Sequence, residues 1–253
     1  MSKIYVITSG KGGVGKTTSA INLGAALNKF KEDVIIVDAN LTTPNIGLHF
    51  GTPMVPVSLN HILQGKADIE EAIYEHESGT KIVPCSLSLK DLKKIDSSLL
   101  KDASKELKKI SSHIILDSAA GLGEEAKTTL EAADEVIVVT NPNILSVTDS
   151  LKAIKLAEGM NKHVRGAIIT RVKNDKTEMS LENIKDMLEV PILGIIPEDS
   201  AIQESLARKN AVIHTNPRSK ASKAYMDIAA KLIGKKKLPT SLGFRILEFL
   251  GLR

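Results

Sequence analysis

Short runs of β-branched and other apolar residues recur along the chain, each closed by glycine, proline or a polar residue. They lie at residues 4–8, 34–38, 81–84, 113–117, 135–140, 164–170 and 192–196. Few polar positions interrupt them, so they read as strands buried on both faces rather than as half-exposed strands with a strict alternation. Between them, apolar residues fall at helical spacing. Residues 17–29 gather Ile21, Leu23, Ala25, Ala26 and Leu27 into an apolar face, and similar patterns run over 146–159, 180–188, 202–208 and 219–233. Residues 86–109 are rich in lysine and acidic side chains around Leu92, Ile95, Leu99, Leu100 and Leu107, which predicts a solvated amphipathic helix there. Buried strands alternating with helices predict an α/β fold: a mostly parallel, twisted sheet of seven or eight strands with helices on both faces.

The pattern breaks once, at Gly234 and the run Lys235-Lys236-Lys237-Leu238-Pro239-Thr240. This predicts one large domain over 1–234, a linker over 235–240 and a separate element over 241–253. That last element is apolar and basic. On a helix, Leu242, Ile246, Phe249 and Leu250 share one face, with Leu247 at its edge and Arg245 and Glu248 opposite. Such a helix can lie in a membrane interface, and the preceding lysines add attraction to anionic lipid. Docking on the body and capture of a partner helix are the alternatives.

Composition narrows the function classes. Hydrophobic content of 42% and charged content of 25% are ordinary for a globular chain, but aromatics are only 3%. An aromatic base-stacking platform for nucleic acid is therefore not expected. The net charge of +4 sits wholly in 235–253, where five basic residues face Glu248. The body is balanced, which argues against broad DNA binding. The single cysteine, Cys85, excludes a disulfide framework and a cysteine-rich metal site, and lies where a buried strand ends. The six histidines show no metal-ligand spacing. Nothing near the start resembles a signal peptide, and no apolar run reaches the ~20 residues that span a bilayer. A cytoplasmic chain is expected.

The first strand ends in Gly10-Lys11-Gly12-Gly13-Val14-Gly15-Lys16-Thr17-Thr18, which matches G-x-x-x-x-G-K-T between a strand and a helix. Backbone N–H groups of a glycine-rich turn wrap phosphate oxygens, and the helix N-terminus adds favourable potential. Lys16 is expected on the β- and γ-phosphates of ATP, the Thr17 hydroxyl on Mg2+, and Thr18 on the α-phosphate. Lys11 adds a charge that a simple phosphate loop does not need.

With Lys11, the run Lys11–Thr18 resembles the deviant Walker A motif of the MinD/ParA family of ATPases, nearer to its MinD branch. The resemblance implies an ATP-driven homodimer with two nucleotides sandwiched face to face, each Lys11 reaching the partner's nucleotide. Asp38-Ala39-Asn40-Leu41-Thr42-Thr43-Pro44-Asn45 resembles the family's switch I. Ile114-Ile115-Leu116-Asp117-Ser118-Ala119-Ala120-Gly121 resembles its Walker B strand and switch II. By that resemblance Asp38, Asp117 and Thr17 hold the metal, Asn45 and Arg171 belong to the nucleotide site, Ile196-Pro197-Glu198-Asp199 lies against the adenine, and Thr140-Asn141-Pro142 and Thr170-Arg171 are strand-end segments. It also implies a membrane-targeting helix over 241–253, a peripheral place on the inner membrane face, and a protein partner in division or other polar machinery.

Two positions depart from the family. Asn40 stands where a second switch I aspartate is usual, and an amide cannot accept a proton, although it can still orient a water. ATP hydrolysis is therefore expected to be slow. Ala119 stands where proline is common. A scaffold gated by ATP with little or no hydrolysis, and a ParA-type DNA-partitioning ATPase, are the competing readings. An iron–sulfur carrier of the related scaffold type needs two cysteines and is excluded.

Overall fold

The computed structural model describes residues 2–88, 90–92 and 95–235. The expected linker beyond Lys235 and the helix over 241–253 lie outside these residues. β1 (Lys3–Thr8), β2 (Val34–Ala39), β3 (Tyr74–Glu75), β4 (Lys81–Val83), β5 (His113–Ser118), β6 (Glu135–Thr140), β7 (His163–Val172) and β8 (Ile192–Pro197) form one sheet. Their order is β3-β4-β2-β5-β1-β6-β7-β8, and every pair is parallel except β3 with β4.

The helices are α1 (Lys16–Lys29), α2 (Ile46–His49), α3 (Leu59–Ile62), α4 (Leu99–Ile110), α5 (Glu124–Ala132), α6 (Ile144–Gly159), α7 (Leu181–Leu188), α8 (Ser200–Ala207), α9 (Val212–Thr215) and α10 (Lys220–Leu232). Among the described residues no helix is long and apolar enough to cross a membrane.

Successive strand residues point to opposite faces, so each central strand feeds two cores. Ile4, Val6, Ile35, Val37, Ile114 and Leu116 pack with α3 to α7. Tyr5, Ile7, Val34, Ile36 and Ile115 pack with α1, α9 and α10. All six residues of β2, β5 and β6 are buried, which is why these strands read as continuous apolar runs rather than as alternating ones.

The structure corrects the sequence reading in several places. The helix expected over 86–109 begins only at Leu99. Ahead of it, Leu92 and Ile95 still pack against the core, from non-helical chain. Asp91 there receives Ser86 Oγ at 2.6 Å, and its carbonyl receives Gln64 Nε2 at 2.7 Å, contacts that favour a turn over a helix. The antiparallel strand β3, and helices α2, α3, α5 and α9, were not expected. The helix expected at 202–208 starts two residues earlier, capped by the Asp199 side chain on Ala201 N at 3.0 Å.

Candidate functional site

The chain leaves β1 toward β2 on one side and places β6 on the other, so β1 is where the strand order reverses. In open α/β sheets this reversal opens a crevice at the carboxyl ends of the strands. The loop from Ser9 to Gly15 occupies it. Ser9 Oγ donates to the Lys11 carbonyl at 2.6 Å. Gly10 lies against α6 so closely that a Cβ there would fall 1.9 Å from the Asp149 carbonyl oxygen. Gly13 and Gly15 take left-handed φ values of 76° and 97°, which turn the chain into α1. No side chain caps α1 and its first turn carries no acid. Its unpaired N–H groups therefore face the loop, the arrangement that favours an anion.

The back of the loop is held by strand ends. Thr170 Oγ1 donates to the Val14 carbonyl at 2.6 Å and lies 3.1 Å from the Thr140 carbonyl. Asn141 Nδ2 donates to Thr170 Oγ1 at 2.8 Å. The polar residues that end β6 and β7 thus buttress the loop opposite its phosphate side. The sequence marked them only as strand-end segments; a polar side chain closing an apolar run was the available signal.

Lys16 is 8% exposed, and burial pushes its ammonium below the usual lysine range, partly offset by the Asp117 carboxylate. Asp38 and Asp117 are paired in register on β2 and β5, and both are fully buried. Asp38 Oδ2 accepts Asn45 N and Ile46 N, each at 2.9 Å. Thr17 Oγ1 donates to Asp117 Oδ2 at 2.5 Å, and Asp117 Oδ1 is buried with no hydrogen-bond partner. Burial, and for Asp38 the neighbouring Asp117, push both carboxyls up, Asp38 to about 8 and Asp117 to about 6. Two buried acids side by side, one with an orphaned oxygen, next to a threonine hydroxyl form an all-oxygen donor set that fits a hard divalent cation such as Mg2+. A cation there would satisfy the orphaned oxygen and relieve the like-charge conflict.

Lys11 is exposed on the loop's rim, and its side chain makes no hydrogen bond or ion pair among the described residues. Asn40 is turned inward. Its Nδ2 donates to the Thr43 carbonyl at 2.7 Å, and its Oδ1 accepts Thr43 N at 3.2 Å and Thr43 Oγ1 at 3.1 Å. Asn45 Nδ2 likewise closes on the Thr43 carbonyl at 2.7 Å.

A cleft of about 180 Å³ opens beside the loop. Val14, Gly15, Thr18, Thr170, Arg171, Ile196, Pro197 and Asp199 line it, together with Ile202 and Tyr225, which sequence reasoning did not place at the nucleotide. Arg171 has φ 57°, where the β7–β8 register shifts. The Asp199 carboxylate is not free to face a base. It accepts Ala201 N and Ala221 N, each at 3.0 Å, and so caps α8 and steadies the start of α10. Asn45 is absent from this lining and belongs to the 40–45 loop.

The family model for the CobQ/CobB/MinD/ParA nucleotide-binding domain matches residues 5–212, a span that holds the loop, both aspartates and most of the cleft. The chain belongs to this family. Its likeness is to MinD proteins and, through them, to ATPases. It is 39% identical over 236 residues to an uncharacterised ATP-binding protein of Methanocaldococcus jannaschii, covering 93% of this chain and 89% of that protein. The septum site-determining protein MinD of Pyrococcus horikoshii, solved with Mg-ADP, matches with a TM-score of 0.88 and 33% identity over 92% of this chain and 96% of that one. The MinD of the Aquifex aeolicus MinC:MinD complex matches with a TM-score of 0.84 and 29% identity over 95% and 98%. The family membership expected from Lys11–Thr18 therefore holds over nearly the whole described chain.

Proposed function

We propose that this MinD-like ATPase is a nucleotide switch: ATP with Mg2+ joins two copies, the joined copies attach to membrane through 241–253, and hydrolysis releases them. The observation that carries the reading is the meeting of Lys16, Thr17, Asp38 and Asp117 beneath an uncapped helix start, with one Asp117 oxygen left without a partner. The loop N–H groups from Gly10 to Thr18 bind the phosphates, and Lys16 neutralises the β- and γ-oxygens. Thr17, Asp38 and Asp117 hold the metal, which when bound screens charge on the transferring phosphoryl group. The cleft between Arg171 and Pro197 receives the adenine, with the Asp199 carboxylate acting through the helices it caps. Lys11 has no side-chain partner among the described residues, which suits a charge that acts on a second copy's nucleotide.

Slow hydrolysis is part of the proposal. Asn40 cannot accept a proton, and its amide already closes the 40–43 turn. This inward amide also supports the second reading, a scaffold gated by ATP that resets by nucleotide exchange. One copy of a short amphipathic helix holds lipid weakly, and two copies on a dimer raise avidity through effective concentration. Attachment would thus follow dimerisation, on the inner face of the cell membrane, where the switch positions a protein partner in division or other polar machinery.

Sedimentation with anionic vesicles in ATP, in ADP and in a slowly hydrolysed analogue, with phosphate release followed in parallel, tests the whole cycle. The proposal expects pelleting with ATP and the analogue only, and loss of pelleting when 241–253 is removed. Pelleting that ignores the nucleotide overturns the switch. Unchanged pelleting after truncation overturns the tail. Salt-dependent retention on DNA would favour the partitioning reading, and turnover at a rate typical of the family would remove the argument from Asn40.

A further inference from the structure

Side-chain hydrogen bonds hold switch I at several points, and the one at Thr42 comes from outside the loop and its own strand. At its far end Asp38 holds the N–H groups of Asn45 and Ile46. Within it, Asn40 closes on Thr43. Between these, Thr42 is gripped by Glu125 in the first turn of α5: Thr42 N donates to Oε1 at 3.1 Å and Thr42 Oγ1 donates to Oε2 at 2.8 Å. Both carboxylate oxygens are thereby used on one residue.

The place of Glu125 gives this grip its meaning. α5 starts directly after the loop that follows Asp117, and that loop is tied to the phosphate loop by Gly121 N on the Ser9 carbonyl at 3.1 Å. A carboxylate in the first turn of a helix is favoured by the helix dipole. Glu125 therefore joins switch I to the helix that follows switch II, with a charge-assisted pair of hydrogen bonds. Position 40 offers no carboxylate, and its amide is taken up within its own turn.

The geometry points to Glu125 as a positioning residue: through Thr42 it makes switch I and switch II move as one unit, so that both settle together on bound nucleotide. This rests on the ATPase reading for its effect on turnover, but the clasp itself does not. It touches neither phosphate nor metal. Its loss should slow the chemical step while leaving nucleotide binding, which belongs to the loop and the cleft, nearly unchanged.

The test uses the full chain with Glu125→Ala, Glu125→Gln, Thr42→Val and the double variant Glu125→Ala with Thr42→Val. Glutamine keeps an acceptor for Thr42 N and a donor for Thr42 Oγ1, so it is the conservative control. For Glu125→Ala, kcat for ATP is expected to fall about tenfold, the scale of a lost hydrogen bond to a charged group, with KM within about twofold. Thr42→Val should give a smaller fall, the double variant no more than Glu125→Ala alone, and Glu125→Gln should recover most of the rate. Hydrogen exchange at the Thr42 amide should quicken in Glu125→Ala and stay near the parent in Glu125→Gln. Unchanged Thr42 exchange in Glu125→Ala overturns the clasp. Exchange that quickens while kcat stays put, or additive losses in the double variant, overturns its positioning role. If the parent chain shows no hydrolysis, the ATPase reading fails separately and exchange alone decides the clasp.

Discussion

Replacing Thr170 with valine keeps the shape of a buried side chain and removes one hydroxyl from behind the phosphate loop. That hydroxyl is 3% exposed at residue level, donates to Val14 O at 2.6 Å and receives Asn141 Nδ2 at 2.8 Å. After the change, the Val14 carbonyl retains only Asn141 Nδ2 at 3.4 Å, a long bond, while Asn141 keeps the Thr170 carbonyl at 3.2 Å. One acceptor is left nearly unpaired in a buried place, which costs about 2 kcal/mol. The folded state should lose that amount in urea unfolding without a change of slope. Val14 sits inside the loop, so the loop should also lose its set shape, and Mg-ATP affinity should fall about tenfold, equivalent to ~1.4 kcal/mol. Thr170→Ser, which keeps the hydroxyl, should restore most of the affinity. Urea unfolding and calorimetric titration with Mg-ATP read both quantities. A stability loss with unchanged affinity would show that the loop keeps its shape without Thr170; no change in either would refute the buttress altogether.

Two further outcomes follow from the same site. Asp38 and Asp117 have carboxyls raised above the ordinary value of 3.8, to about 8 and about 6. Between the ordinary value and these raised ones the two acids bind more protons in the folded chain than in the unfolded one, so without metal their contribution to stability should fall as pH rises from about 4 to about 8, against the opposite contribution of His49, His76, His113 and His214, whose burial holds them below the usual histidine range. Stabilisation by Mg2+ should correspondingly be larger at the upper end of that range, and Asp38→Asn should flatten the dependence; thermal unfolding across pH, with and without Mg2+, reads both. A metal-free pH dependence that is the same in Asp38→Asn as in the parent would contradict the paired buried acids. Gly10→Ala puts a methyl group 1.9 Å from the Asp149 carbonyl oxygen, so the loop must shift away from α6. Nucleotide binding by calorimetry should be lost while the chain stays folded, and retained affinity would mean that the loop tolerates the displacement.

Where burial was complete on both faces, the hydrophobic pattern carried the fold. β1, β2, β5 and β6 lie within a residue of the runs that predicted them, because helices cover both faces of the sheet and call for mostly apolar side chains. β3 was invisible: two residues, one of them Glu75, pair on an edge and need no apolar run. α5 was missed because its sequence EEAKTTLEA is mostly polar, with Ala126, Thr129, Leu130 and Ala132 alone turned to the core. α4 was read too long because Leu92 and Ile95 keep apolar character in a segment whose backbone is turned by Asp91.

The site divides in the same way. The phosphate loop is local, and its glycines, lysine and threonines are readable in one stretch. Asp38 and Asp117 are far apart along the chain, and only the β2–β5 register brings them side by side. The cleft walls come from β7, β8, α8 and α10, so Ile202 and Tyr225 carried no shared signal in the sequence. The Glu125–Thr42 clasp joins residues 83 positions apart and is a property of the fold alone.

The switch turns on Lys11, a charge on the rim of the loop with no side-chain partner among the described residues. Light scattering of the purified chain, with Mg-ATP and with Mg-ADP, beside a Lys11→Ala variant whose ATP affinity is measured in the same buffer, tests it most directly. The account predicts that the mass doubles with Mg-ATP, stays monomeric with Mg-ADP, and stays monomeric for Lys11→Ala even when that variant is saturated with ATP. A parent chain that remains monomeric in saturating Mg-ATP, or a Lys11→Ala variant that doubles as the parent does, would contradict it.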